Sequence, residues 1–149
     1  QQAFAWGLIG RPYLETDFCP DVGLIKLIPG TKLELFDAVK TLGYRGIVIE
    51  GFGAGGVPFQ GRNLVSKVES LIQAGIAVTI TTQCLCGGSD LTVYEVGQKV
   101  LKAGAIPSYD MTTEAVVTKL MWVLGQTTDL AEVARIILTN CVGEISVPS

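Results

Sequence analysis

Polar groups able to recognise a small molecule gather in one stretch of the chain: Thr81, Thr82 and Gln83, followed by Ser89, Asp90 and Tyr94. Hydroxyl, amide, carboxylate and phenol groups in that arrangement can orient a polar ligand or relay a proton. The same residues also have plain structural roles open to them, with Thr81 and Thr82 finishing a strand and Asp90 capping the next helix. Ser89 has no nearby base to activate it, and the 149-residue chain contains no histidine. Ser-His-Asp and Cys-His nucleophile pairs are therefore excluded, as is a histidine-ligated zinc. Cys84-Leu85-Cys86 is CxC rather than the CxxC of redox and zinc motifs, and with Cys19 and Cys141 it falls short of a secreted disulfide scaffold. Reduced thiols, and hence a cytoplasmic location, are expected.

A second constellation is glycine-rich. Gly51-Phe52-Gly53-Ala54-Gly55-Gly56 satisfies GxGxxG directly after an apolar run, where glycine lets backbone approach a pyrophosphate. A dinucleotide site also needs a helix that opens within the motif, whereas Val57-Pro58-Phe59-Gln60-Gly61 intervenes, and no acid follows strand three to hold a ribose. A free-standing nucleotide or flavin module is thus the rival reading. Glu50, just before the glycines, is expected to point into a cleft or to meet Arg45 or Arg62. Asp110-Met111-Thr112-Thr113-Glu114 reads as a helix cap. Lys119 and Trp122, three apart, can pack as stem against ring.

These residues need a scaffold, and the hydrophobic pattern supplies one. Apolar runs at Val22 to Ile28, Gly46 to Ile49 and Ile76 to Thr82, with a short one at Ala105 to Pro107, read as buried strands. Between them lie helical patterns, the first capped by Thr31 with Glu34 three residues on, and stopped by Gly43; later ones are stopped by Gly75 and Gly104. The third helical pattern spans about Leu91 to Ala103. Thr112 or Thr113 caps a helix that runs to Leu124, and Asp129 opens another that ends near Thr139. Short apolar strands alternating with amphipathic helices require a parallel sheet covered on both faces. The expected fold is a small three-layer, doubly wound α/β sandwich with about four parallel strands. Its functional loops leave the carboxyl ends of the strands. Residues 1–20 read as a lead-in or interdomain linker and 21–149 as the domain. The start at Gln1-Gln2 suggests a processed chain or a piece of a longer one. Eleven basic residues against 14 acidic ones, with the basic ones scattered singly, argue against a nucleic-acid partner. No apolar stretch reaches the roughly 20 residues that span a bilayer.

Several strings taken together resemble one family. They are Gly51 to Pro58, Thr81-Thr82-Gln83-Cys84-Leu85-Cys86-Gly87-Gly88, Tyr94-Glu95-Val96-Gly97, Ala103 to Pro107, Asp110 to Ala115, and Lys119 to Gly125. Their order and spacing resemble the C-terminal domain of type I L-asparaginases and the related D subunit of archaeal glutamyl-tRNA(Gln) amidotransferase. The resemblance implies a two-domain amidohydrolase that converts asparagine to the acid and ammonia through a threonine nucleophile, without metal or organic cofactor. The nucleophile, a second threonine, an aspartate and a lysine belong to the larger N-terminal domain, whose TGGTI-like and HGTD strings do not occur here. No catalytic residue is therefore expected in this chain, and the chain alone is expected to be inactive. The resemblance implies that it pairs with its own N-terminal domain, supports a homodimer or tetramer, and completes a neighbouring protomer's site. Tyr94, six residues after Gly88 and three before Gly97, matches the tyrosine that reaches that pocket. Thr82, Gln83 and Asp90 are the other implied substrate-side residues, with Gly53, Gly55 and Gly56 forming the loop. Some bacterial members bind asparagine allosterically through an arginine at the end of strand two; Glu50 stands near that place, so no effector site of that kind is expected.

Overall fold

The computed structural model describes residues 15–52, 64–84 and 95–147. Four strands, β1 (Val22–Lys26), β2 (Gly46–Gly51), β3 (Ala77–Thr82) and β4 (Ile106–Pro107), form one sheet. Neighbours pair in parallel and in sequence order, with Lys26 beside Glu50 and Glu50 beside Thr81. α1 (Glu34–Thr41), α2 (Leu64–Gln73) and α3 (Glu95–Lys102) lie between successive strands; α4 (Thr113–Gln126) and α5 (Leu130–Ile137) follow β4.

Side-chain alternation along β2 shows why both faces must be covered. Ile47 and Ile49 enter a core with Phe36 of α1, Val68 of α2 and Val100 of α3. Val48, between them, enters a second core with Leu120 of α4 and Val133 and Ile137 of α5. All three β2 residues are completely buried, each worth about 1.5–3 kcal/mol of transfer free energy. The expected three-layer α/β sandwich is what forms. Because the strand order never reverses, α1, α2 and α3 share one face, and the two C-terminal helices close the other.

Among the described residues, the helix ends marked in the sequence follow local chemistry except at Thr31. Gly43 and Gly75 follow α1 and α2 at φ 77° and 80°, the left-handed region that a Cβ disfavours. Thr112 caps α4 by accepting from the Ala115 amide, and Asp129 caps α5 by accepting from the Ala131 amide at 3.1 Å. Asp129→Ala is expected to cost about 1 kcal/mol, read from the denaturation midpoint. Thr31 does not cap α1. Its hydroxyl accepts from the Ile28 amide and donates to the Ile28 carbonyl, closing the Pro29-Gly30 turn. α1 begins only at Glu34, with Leu33 at its start and no side-chain cap. The turn offers the hydroxyl both a donor and an acceptor on one residue, whereas a cap would offer it a donor alone, and the turn wins. α3 starts at Glu95, so the expected residues 91–94 of that helix lie outside the described residues. Of the lead-in, residues 15–20 lie on the sandwich: Cys19 is buried, and its amide donates to the Met121 carbonyl.

Candidate functional site

Past the carboxyl ends of β1, β2 and β3, on the α4 side of the sheet, lies a cleft of about 410 Å³. Leu24 and Lys26 come from β1, Glu50 from β2, Thr82 from β3 with Gln83 and Cys84 after it, and Tyr109 to Glu114 form the opposite wall. Parallel pairing places Glu50 beside Lys26 on one strand and Thr81 on the other, all on the face turned towards α4. The carboxyl ends of parallel strands are the usual ligand address in an open α/β sheet.

Glu50 is buried, and its Oε1 accepts a 2.6 Å hydrogen bond from the Thr113 hydroxyl in the first turn of α4. Lys26 Nζ stands 3.6 Å from the other oxygen but is itself mostly exposed, so the pair is solvent-screened. Among the described residues neither oxygen has an arginine partner, Arg45 included; Arg62 lies outside them. Thr112 supplies the cap expected of the string Asp110 to Glu114, and Asp110 is engaged elsewhere. Its Oδ1 accepts from the Ser146 amide at 2.6 Å, and this bond holds its carboxyl below the usual range. Among the described residues the cleft thus carries three carboxylates, Glu50, Asp110 and Glu114, against the cation of Lys26. Such a surface suits an amide or ammonium group better than a phosphate. Among the described residues no group of three or more Cys, Asp or Glu could hold a metal ion.

Of the sequence-expected residues, Thr82 and Gln83 reach this cleft. The Thr82 hydroxyl accepts from the Cys84 amide at 3.0 Å. Gln83 Nε2 donates to the carbonyls of Leu27 at 2.6 Å and Glu50 at 3.2 Å. Asp90, Tyr94, Gly53, Gly55 and Gly56 lie outside the described residues. Lys26, Tyr109 and Thr113 line the cleft although the motifs did not single them out for it. Lys26 had a visible signal as the one charge within the apolar run Val22 to Ile28. Tyr109 had none: its backbone sits at φ 49°, a left-handed conformation uncommon for a residue with a bulky side chain.

Fold and cleft together define a small parallel α/β domain with polar groups gathered at its strand ends. Residues 21–137 match the glutaminase/asparaginase C-terminal domain, and the chain belongs to that family. It is 48% identical over 137 residues to an L-asparaginase of Thermococcus kodakarensis, covering 92% of this chain and 41% of that protein. It is 44% identical over 137 residues to the D subunit of the glutamyl-tRNA(Gln) amidotransferase of Pyrococcus furiosus, covering 92% of this chain and 31% of that one. The solved thermostable L-asparaginase from Thermococcus kodakarensis superposes with a TM-score of 0.86 at 47% identity, over 93% of this chain and 42% of that one. L-asparaginase I from Vibrio cholerae superposes at 0.82 with 28% identity, over 93% and 41%. The chain therefore spans well under half the length of these relatives.

Proposed function

We propose that this chain is the small domain of a cytoplasmic L-asparaginase, an amide hydrolase that releases ammonia from asparagine. The observation that carries the reading is the 48% identity to an L-asparaginase across 92% of the chain. In this reading a threonine nucleophile comes from an N-terminal domain outside the present sequence, and no metal, organic cofactor or nucleic acid takes part. The small domain contributes strand-end groups to a neighbouring protomer's site and joins protomers into a homodimer or tetramer. Tyr94 reaches the neighbour's pocket and orients the substrate or relays a proton. Thr82, Asp90 and the glycines Gly53, Gly55 and Gly56 shape the same edge.

The test is ammonia release from asparagine. The 149-residue chain alone is expected to give none, and the same chain joined to its own N-terminal domain is expected to turn over. Turnover by the homogeneous chain alone would remove the division of labour. In the joined protein, Tyr94→Phe is expected to lower kcat/KM about a hundredfold or more, the low end of the range for loss of a positioned proton-handling group. An unchanged value would take Tyr94 out of the site.

A second reading, the D subunit of a glutamyl-tRNA(Gln) amidotransferase, is favoured by the 44% identity to the Pyrococcus furiosus protein. It expects little hydrolysis of free asparagine until the other amidotransferase component and tRNA are added.

A further inference from the structure

Gln83 was expected among the substrate-side residues, yet its side chain is already engaged. Both partners of Nε2, the carbonyls of Leu27 and Glu50, are acceptors, so the NH2 end of the amide must face them. β1 and β3 are not neighbours, because β2 lies between them. Gln83 therefore reaches from the end of β3 across the end of β2 to the chain just past β1. Its own amide donates to the Gly51 carbonyl at 3.0 Å, and the Leu27 amide donates to the Glu50 carbonyl at 3.0 Å. Leu27 is buried, so its carbonyl needs a donor that the sheet ladder, which ends at Lys26, no longer supplies. Asparagine, one methylene shorter, would not span this distance, and a glutamate would turn an acceptor towards two acceptors.

We infer that Gln83 is a positioning residue rather than a substrate contact. It ties the ends of β1, β2 and β3 at one height, so that Lys26, Glu50 and Thr82 stand on a fixed ledge. The consequence for activity rests on the asparaginase reading; the clamp itself does not. If the reacting groups belong to the preceding domain, loosening the ledge weakens substrate binding more than it slows chemistry.

The test uses the full-length protein and Gln83→Met, which keeps the length and removes the donors. Asp129→Ala, a remote cap variant, serves as the control for lost stability. KM for asparagine is expected to rise about tenfold in Gln83→Met while kcat changes less than about threefold. Asp129→Ala should leave KM unchanged, since a smaller folded fraction lowers apparent kcat alone. An unchanged KM in Gln83→Met, or an equal rise in both variants, overturns the positioning role. Amide exchange gives a readout independent of activity: the Leu27 and Gln83 amides should exchange at least about tenfold faster in Gln83→Met, with those of α5 unaltered. Unaltered exchange at Leu27 and Gln83 overturns the clamp. If the wild-type full-length protein releases no ammonia from asparagine, the asparaginase reading falls and exchange alone decides on the clamp.

Discussion

Lys119→Met is expected to destabilise the domain by about 2–4 kcal/mol, the cost of leaving a largely buried carboxylate without its cation. Lys119 sits on α4 with only 8% of its surface exposed. Its amino group donates to the Ile137 carbonyl at 2.9 Å, the Thr139 carbonyl at 2.6 Å and Glu144 Oε1 at 2.5 Å. Two of these acceptors belong to the end of α5 and the residues just past it, where the helix dipole favours a cation. Glu144 in turn accepts from the amides of Cys141 and Val142, so one lysine anchors the whole segment after α5. That segment carries Ile145, which is 1% exposed and part of the second core. Methionine retains most of the stem volume, so the loss reports the polar contacts rather than a cavity. Glu144→Gln in the Lys119→Met background should restore part of it, because the orphaned charge is gone. Chemical denaturation of the four proteins gives the coupling directly, and a coupling near zero would mean that the two groups act independently.

The same pair sets a pH dependence. Burial pushes the Glu144 carboxyl up, but the hydrogen bonds from Lys119 and the Val142 and Cys141 amides outweigh it and lower the pKa from 4.5 to about 2. A depressed native pKa means that the stabilisation is complete above about pH 4.5 and is lost as the pH falls towards 2. On the order of 1–3 kcal/mol is expected to disappear between about pH 5 and pH 2. Glu144→Gln should lack that part of the acid slope.

Gly125→Ala should behave against helix propensity. Gly125 lies within α4, where alanine is intrinsically favoured by about 0.8–1 kcal/mol. A Cβ there, however, would stand 2.1 Å from the Asp17 carbonyl oxygen and 2.5 Å from its carbon. These are backbone atoms held by the Cys19 amide on the Met121 carbonyl and by Gln126 Nε2 on the Asp17 carbonyl. The clash cannot be relieved by turning a side chain. We expect a net loss of about 2–3 kcal/mol, with residues 15–20 displaced from α4. Gly46→Ala makes a useful contrast, since its Cβ would meet the ends of the Leu124 and Leu120 side chains, 2.6 and 3.0 Å away. Those can shift, and the cost should be smaller. Limited proteolysis before Asp17, together with a denaturation midpoint, separates the two cases. A stabilised Gly125→Ala variant would show that propensity outweighs the close approach.

Sequence alone determined those features whose energetics are local. The alternation of Ile47, Val48 and Ile49 between two cores, the helix stops at Gly43 and Gly75, and the caps Thr112 and Asp129 all depend on residues within a turn or two of one another. Periodicity and capping chemistry therefore made the layered parallel fold and most helix ends legible. Thr31 failed as a cap because two local hydrogen-bonding patterns competed, and sequence does not rank them.

Tertiary structure decided the partners of the polar side chains. Gln83 meets Leu27 across 56 residues and Thr113 meets Glu50 across 63. The Lys119 amino group spans 18 to 25 residues to the end of α5 and Glu144. A hydrogen bond tolerates only a few tenths of an ångström in position, so such pairings exist only once strand register and helix placement are set. Residue types and spacing could name the edge of the sheet where polar groups converge. Which of them hold the ledge together, and which are left to face a ligand, follows from the register of the three strands that end there.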